Sequence, residues 1–333
     1  MTATVTAILP VFNGRTFLAE AVRSVMEQTL RPIELIVVDD GSTDGSLKEL
    51  EKLTEAPFPI RILRQDNKGQ SAARNLAASQ AQGEYLAFLD QDDRWYPQHL
   101  EMLVAPLVAN AAAGWSYCDF DEMDFDGNVV TRSFLRAHGL RHPKQTIFEC
   151  VSTDIMVLPS ASVLRRTAFE QSGGFDVTLS GYEDDDLFVR FFRLGWEHLF
   201  VETPLVRFRI HSRGSSTSRR FIDSRMRYAA KLEASLPDDA RMQRYYAADA
   251  IAPRFFVTTL DDYMRACSAR EWDEAEAILK VVNHFGRRRR SSLRLRWKLF
   301  WIQNPRRFRS LVALNDAMPY RLRFIRNPAL RLR

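Results

Sequence analysis

Long apolar runs, paired cysteines and glycine-rich phosphate loops are all lacking in this chain. No uninterrupted apolar run approaches the ~20 residues that a membrane-spanning helix needs. The three cysteines, Cys118, Cys150 and Cys267, lie far apart, which argues against a disulfide framework or a zinc site and fits a reducing cytosol. Neither GxGxxG nor GxxxxGK occurs, which disfavours a dinucleotide dehydrogenase and a P-loop enzyme. The N-terminus has no basic start followed by a long apolar core, so we expect no signal peptide.

Acidic residues are scarce in the C-terminal third of the chain. Residues 1–215 contain 21 Lys or Arg and 30 Asp or Glu, whereas residues 216–333 contain 26 and 12. The net charge is therefore −9 in the first part and +14 in the second. This asymmetry favours contact between the basic part and an anionic surface, either nucleic acid or membrane.

The first 110 residues alternate apolar runs of strand length with segments of helical periodicity. This alternation predicts βαβ units and a mostly parallel sheet with flanking helices. Beyond His211 and a Ser-rich loop, strand signals fade and helical periodicity takes over. We therefore predict an α/β catalytic domain over residues 1–215 and a basic helical extension over residues 216–333.

Polar side chains follow each of the first four apolar runs. In open α/β sheets, ligands bind outside the carboxyl ends of the strands, so this pattern predicts a ligand site at one edge of the sheet. Two acids one residue apart at the end of the fourth run suggest a divalent metal. The polar residues at these strand ends are Asn13, then Asp39 and Asp40, then Asn67, and finally Asp90, Asp92 and Asp93.

Five motifs occur in order at ordinary spacing between residues 3 and 211. They are ILPVFNG (8–14), IVVDDGSTD (36–44), NKGQSAARN (67–75), GEYLAFLDQDD (83–93), and GGFD (173–176) followed by Glu183 and Asp184. Together they resemble the inverting GT-A glycosyltransferases of family 2. The resemblance implies a Rossmann-like GT-A fold, a nucleotide-diphosphate sugar donor, and a carbohydrate or lipid-linked sugar as acceptor.

The resemblance also implies a metal site. Asp90 and Asp92 form the DxD pair, which would hold Mg²⁺ or Mn²⁺ and so neutralise charge on the diphosphate leaving group. Asp93 could assist through water. His211 resembles the histidine that many family members carry before a Ser-rich loop, and it would bind the diphosphate or complete the metal shell.

Nucleotide recognition would fall to the first strand ends. By resemblance, Pro10 and Phe12 flank the nucleobase, and Asp40 accepts a hydrogen bond from a uracil-type imide, with Asp39 as the alternative. This favours UDP as the nucleotide. Arg74 offers a fork of donors to phosphate or to the metal-binding acids, the alternative being a surface ion pair. The predicted nucleotide-binding residues are Pro10, Phe12, Asn13, Asp39, Asp40, Asn67, Arg74, Asp90 and Gln91.

The general base is predicted from helical phase. In a helix that starts near residue 182, Glu183 and Asp184 precede the buried face by one turn and point inward. Asp186 aligns with Arg190 at i+4, which predicts a solvated stripe, and the position of Asp185 stays open. The resemblance independently selects Asp184 as the base, with Glu183 supporting it. The predicted buried face consists of Leu187, Phe188, Phe191 and Leu194.

The last 48 residues, 286–333, contain 15 Arg or Lys and one acid, Asp316. A helix after residue 290 would align four large apolar side chains away from its basic residues. Such a helix can lie in a membrane interface. The stripe could instead pack on the catalytic domain; nucleic acid is disfavoured because no nucleic-acid motif accompanies the charge. The stripe comprises Leu293, Trp297, Phe300 and Trp301.

These patterns predict a metal-dependent inverting glycosyltransferase of the hexosyl- or N-acetylhexosaminyl-transferase class. We expect it in the cytoplasm, peripheral at the inner face of the membrane, in cell-surface polysaccharide or glycolipid synthesis. Trp95 and Asp93 would lie on the acceptor side, although a packed aromatic fits Trp95 equally well. Two alternatives remain: a nucleotidyltransferase on a similar sheet, and a non-catalytic sugar-nucleotide-binding protein.

Overall fold

The computed structural model describes residues 3–50, 56–211 and 219–289. The described chain divides into two compact units. The first comprises the described residues up to 147 together with residues 155–221. The second comprises residues 148–154 and the described residues from 222 onward. The boundary predicted between residues 215 and 216 lies outside the described residues, as does the predicted apolar stripe of Leu293 to Trp301.

The first unit begins with a parallel half-sheet. Apolar residues predominate in its two central strands, which are buried throughout, as expected where helices cover both faces of a parallel sheet. The strands are β1 (Val5–Val11), β2 (Glu34–Asp39), β3 (Ile60–Arg64) and β4 (Tyr85–Phe88), paired in the order β3-β2-β1-β4. The helices between them are α1 (Leu18–Met26), α2 (Ser46–Leu50) and α3 (Gln70–Ser79).

Five further strands extend the sheet to nine, in the order β3-β2-β1-β4-β8-β6-β9-β5 with β7 paired to β6. These strands are β5 (Arg94–Trp95), β6 (Ala113–Met123), β7 (Val129–Thr131), β8 (Ser162–Arg165) and β9 (Glu197–Arg209). The helices of this half are α4 (His99–Ala109), α5 (Phe134–Ala137), α7 (Arg166–Ser172) and α8 (Glu183–Arg193), whereas α6 (Ile147–Ser152) belongs to the second unit from residue 148 onward. The predicted α/β class is confirmed, with a mixed sheet.

Strand direction decides which residues share an edge. Strand β8 is antiparallel to both β4 and β6, and β9 is parallel to β6. Strands β6 and β9 therefore run in the same direction as β4. The end of β9, just before His211, consequently lies at the same edge of the sheet as the ends of β1, β2 and β4.

The second unit is helical. It contains α9 (Arg219–Ser235) from residue 222 onward, α10 (Ala252–Ala269), α11 (Trp272–Arg288) and a π-helical turn at Ala247–Ile251. Aromatic rings join these helices, with the centroid of Phe255 lying 5.9 Å from that of Tyr228 and 5.6 Å from that of Phe285. The predicted helical C-terminal region is confirmed over its described part. No helix in the described ranges is long and apolar enough to cross a membrane.

Candidate active site

The loop after β1 is held to its neighbours by the amide of Gln91 and the hydroxyl of Ser42. The backbone N–H of Phe12 donates to Gln91 Oε1 at 2.9 Å, and Gln91 Nε2 donates back to the Phe12 carbonyl at 3.1 Å. The N–H of Asn13 donates to Ser42 Oγ at 3.0 Å. A Cβ on Gly14 would overlap the Gln91 amide, which would have to move away from the Phe12 backbone. These contacts hold the ends of β1, β2 and β4 together and leave the Phe12 ring 42% exposed.

The two acids at the end of β2 have different partners. Both oxygens of Asp40 accept backbone N–H groups from the next loop, Oδ1 from Lys68 at 2.7 Å and Oδ2 from Gly69 at 2.8 Å. Asp39 Oδ1 accepts the N–H of Ser42 at 2.9 Å. Asp40 thus anchors the loop that carries the exposed Asn67. Asp40 is thus bonded through both carboxylate oxygens, whereas Asp39 is bonded through Oδ1.

Arg74 on α3 joins the two groups of acids. It is 2% exposed, and its Nη2 lies 2.5 Å from Asp90 Oδ1 while Nη1 lies 3.3 Å from Glu183 Oε1. Its guanidinium also sits 5.1 Å from the ring centre of Phe175. Burial alone would lower the pKa of Arg74, but the charges of Asp90 and Glu183 raise it above its ordinary value. The sequence alternative of a surface ion pair is therefore wrong.

Glu183 is held in place at the start of α8. It is 4% exposed, and its Oε1 also accepts a hydrogen bond from the side chain of Gln70. Its Oε2 is buried without a hydrogen-bond partner. Asp184, the next residue, is half-buried, whereas Glu183, Asp185 and Asp186 are buried. Asp184 is therefore the acid of this turn that solvent or a ligand can reach.

The rest of α8 corrects part of the helical-phase prediction. Asp186 is buried, not solvated, because Arg190 forms an ion pair with it. The guanidinium of Arg190 also donates hydrogen bonds to the carbonyls of Ser172 and Gly174. The expected contact at i+4 is nevertheless present. Leu194 is 52% exposed because it lies just past the end of the helix. The buried positions Leu187, Phe188 and Phe191 are as predicted.

The turn after β4 brings Asp92 to His211. Nε2 of His211 lies 2.8 Å from Asp92 Oδ2. Burial and the negative charge of Asp90 raise the pKa of Asp92. A cation beside these carboxylates would relieve that repulsion, and their oxygens are the donors that Mg²⁺ and Mn²⁺ prefer. The donor set thus fits a divalent ion, although no group of three or more His, Cys, Asp or Glu among the described residues is already arranged to hold one.

Asp93 and Trp95 lie inside the protein. Asp93 is 1% exposed and Trp95 5%. Asp93 Oδ1 accepts the N–H of Arg209 at 3.0 Å, and Trp95 Nε1 donates to the Ser160 carbonyl at 2.7 Å. Burial, then Asp92 and Asp90, raise the pKa of Asp93 well above its ordinary value. Both side chains are thus packed inside the protein, which for Trp95 is the packed aromatic named as the alternative, and a role on the acceptor side stays a prediction.

Two residues of this site were not predicted from the sequence. Ser160 Oγ accepts the N–H of Asp90 at 3.0 Å, and no local pattern marks it. Arg209 contacts the turn of Asp92 and Asp93 from the end of β9. Its place two residues before His211, in a strand-like run, was the one available signal.

Residues 6–173 match the family model described as Glycosyl transferase family 2. The putative teichuronic acid biosynthesis glycosyltransferase TuaG of Bacillus subtilis (strain 168) is 33% identical over 157 residues, covering 45% of this chain and 61% of TuaG. Glycosyltransferase GlyA of Streptococcus pneumoniae is 36% identical over 123 residues, covering 36% of this chain and 18% of GlyA. The chain thus spans less than two thirds of either relative.

The solved structure of S. aureus TarS 1–349 superposes with a TM-score of 0.58 at 16% identity, covering 97% of this chain and 95% of that one. The same TarS fragment in complex with UDP gives a TM-score of 0.53 at 16% identity, covering 95% of this chain and 93% of that one. The fold is thus the GT-A fold of TarS. This chain belongs to glycosyl transferase family 2, as the motifs predicted.

Proposed function

We propose that this protein transfers a sugar from a UDP-linked donor to an acceptor hydroxyl with inversion at the anomeric carbon. The observation that carries the proposal is the buried Arg74, which ties Asp90 of the DxD turn to Glu183, the neighbour of Asp184. One guanidinium thereby links the side that would bind the donor diphosphate to the side that would activate the acceptor.

The uridine would bind at the ends of β1 and β2. The exposed ring of Phe12 offers a stacking surface beside the buried Pro10. Asp39 would accept the imide N–H of uracil, and Asn67 would line the loop that Asp40 anchors. Asn13 and Gln91 would contribute by fixing the loop after β1, which carries Phe12. That the TarS neighbour was solved with UDP supports this choice of nucleotide.

The diphosphate would lie beside Asp90 and Asp92, which would hold Mg²⁺ or Mn²⁺ with His211. The ion, when bound, supplies positive charge to the leaving diphosphate. Asp184 would accept the proton of the attacking hydroxyl as its oxygen bonds to the anomeric carbon. The bond from that carbon to the diphosphate oxygen breaks at the same time, and its electron pair leaves with UDP. Glu183 would fix the position of Asp184 through its contacts with Arg74 and Gln70.

The acceptor would be a carbohydrate or a lipid-linked sugar in cell-surface polysaccharide or glycolipid synthesis. The name of TuaG, which refers to teichuronic acid, supports this class. The basic segment 286–333 would contact the anionic inner face of the membrane from the cytoplasm, which its 15 Arg or Lys support. Apart from residues 286–289, this segment lies outside the described residues.

Asp184→Asn and Asp92→Ala test the assignment separately. We expect Asp184→Asn to keep Mn²⁺-dependent UDP binding and to lose UDP release from a panel of UDP-sugars. Asp92→Ala should weaken the binding itself. Asp126→Asn, an exposed acid on the turn between β6 and β7, is the control and should match the wild type. Wild-type activity in Asp184→Asn would refute the base assignment. Pyrophosphate release from UTP with a sugar 1-phosphate would favour a nucleotidyltransferase, and UDP binding without any turnover a binding protein.

A further inference from the structure

Arg209, the last residue of β9, is buried at the DxD turn with its side chain 1% exposed. Its guanidinium donates to three separate segments of the first unit. Nε donates to the Asp92 carbonyl at 2.9 Å, Nη2 to Glu20 Oε2 on α1 at 2.8 Å, and Nη1 to the Phe125 carbonyl at 2.7 Å. The fork of one arginine therefore fixes the DxD turn to α1 and to the turn after β6.

Two more contacts strengthen this arrangement. The backbone N–H of Arg209 donates to Asp93 Oδ1 at 3.0 Å, so the DxD turn is bonded to both the main chain and the side chain of one residue. The guanidinium also lies 4.2 Å from the ring centre of Phe17. A lysine could keep the charge, but it has no planar fork that reaches three carbonyl or carboxylate groups at once.

The same segment supplies the partner of the Asp92 carboxylate. His211 follows Arg209 by two residues, and its Nε2 lies 2.8 Å from Asp92 Oδ2. Asp92 is therefore contacted at its backbone carbonyl by Arg209 and at its carboxylate by His211. A shift of the end of β9 would move both groups relative to Asp90.

We propose that Arg209 is a positioning residue that holds Asp92 and His211 in the arrangement needed to bind a divalent cation together with UDP. This inference rests on the proposed function. Residues that orient metal ligands without touching the metal change metal affinity by about 10- to 100-fold when they are replaced. We expect an effect of that size from the loss of the Arg209 fork.

Arg209→Lys tests the role through metal requirement. For each variant, the rise in melting temperature caused by UDP is measured at increasing Mn²⁺ concentration, relative to the ligand-free melting temperature of that variant. The Mn²⁺ requirement is the concentration that gives half of the maximal rise. We expect this concentration to rise about 10-fold or more in Arg209→Lys. A purely structural role would lower the ligand-free melting temperature and leave the Mn²⁺ requirement unchanged, which would overturn the inference.

Two further variants keep the test decisive. Glu20→Gln alters one partner of the fork at a residue whose side chain is 41% exposed, and we expect a smaller rise in Mn²⁺ requirement. If Arg209→Lys does not fold, an unchanged requirement in Glu20→Gln would overturn the inference. Arg94→Lys is the matched control, because Arg94 also pairs with Glu20, at 3.6 Å, but does not bond to the DxD turn; its requirement should equal that of the wild type.

The outcomes separate the two proposals. A wild-type protein that shows no Mn²⁺-dependent shift with UDP would refute the proposed function and the role of Arg209 with it. A normal wild-type shift with an unchanged Mn²⁺ requirement in Arg209→Lys would refute the role of Arg209 alone.

Discussion

Replacing Arg74 by methionine should destabilise the first unit strongly. The change keeps a long apolar stem but removes the charge that compensates Glu183, which is 4% exposed. Removing one member of a buried ion pair costs about 3–5 kcal/mol, because the other charge stays buried and unpaired. Asp90, whose side chain is 30% exposed, can recover water and should add little. We therefore expect Arg74→Met to lower the free energy of unfolding by about 3 kcal/mol.

The double variant tests the cause. Adding Glu183→Gln to Arg74→Met replaces the unpaired buried carboxylate by a neutral amide, so the combined loss should be smaller than the sum of the two single losses by about 1–3 kcal/mol. Urea denaturation followed by circular dichroism measures these differences. Arg166→Met is the control, because Arg166 pairs with Glu170 at 4.0 Å and is 40% exposed; it should lose at most about 1 kcal/mol. Additive losses in the double variant, or a loss in Arg74→Met no larger than the control, would show that the unpaired charge of Glu183 is not the cause.

Two other positions give predictions of different kinds. Burial lowers the pKa of His99 to about 3, so the folded protein keeps it neutral while the unfolded chain binds a proton below about 6.5. His99 therefore lowers the free energy of unfolding by about 2 kcal/mol at pH 5 and hardly at all at pH 7.5. In His99→Phe, the free energy of unfolding measured in urea should fall by about 2 kcal/mol less between pH 7.5 and pH 5. An unchanged pH dependence would contradict this. Gly14→Ala should displace the Gln91 amide from the Phe12 backbone, which breaks two hydrogen bonds worth ~1 kcal/mol each. We therefore expect the Kd for UDP, measured by calorimetry, to rise about 10-fold. Gln91→Ala should weaken it similarly, and the double variant should be no worse than either single one.

The sequence predicted those parts of the site that depend on strand ends. Apolar runs followed by polar residues placed Asn13, Asp39 and Asp90 at one edge, because parallel strands bring their carboxyl ends together. It did not predict the direction of β9, which depends on two antiparallel pairings with β8. Arg209 was missed for that reason, since its partner Asp92 lies 117 residues away in the chain.

Other errors came from local rules that tertiary contacts override. Helical phase placed Asp186 on a solvated stripe, but Arg190 folds over the loop after α7 and buries the pair. The two-residue strand β5 is too short to show alternation, so the sequence left open whether Trp95 packs inside the protein or lines the acceptor side; the pairing of β5 with β9 was not predicted. Sequence patterns therefore predicted the positions of strands better than the surroundings of single side chains.

Thermal stabilisation by UDP, GDP and dTDP, with and without Mn²⁺, tests whether this protein binds a uridine nucleotide together with a divalent cation. A ligand that binds only the folded state, at a concentration of about 100 times its Kd, raises the free energy of unfolding by about 2.7 kcal/mol. A melting curve resolves a change of this size. We expect a shift with UDP that requires Mn²⁺ and is larger than the shift with the other two nucleotides. The absence of a shift with any nucleotide at millimolar concentration would contradict it.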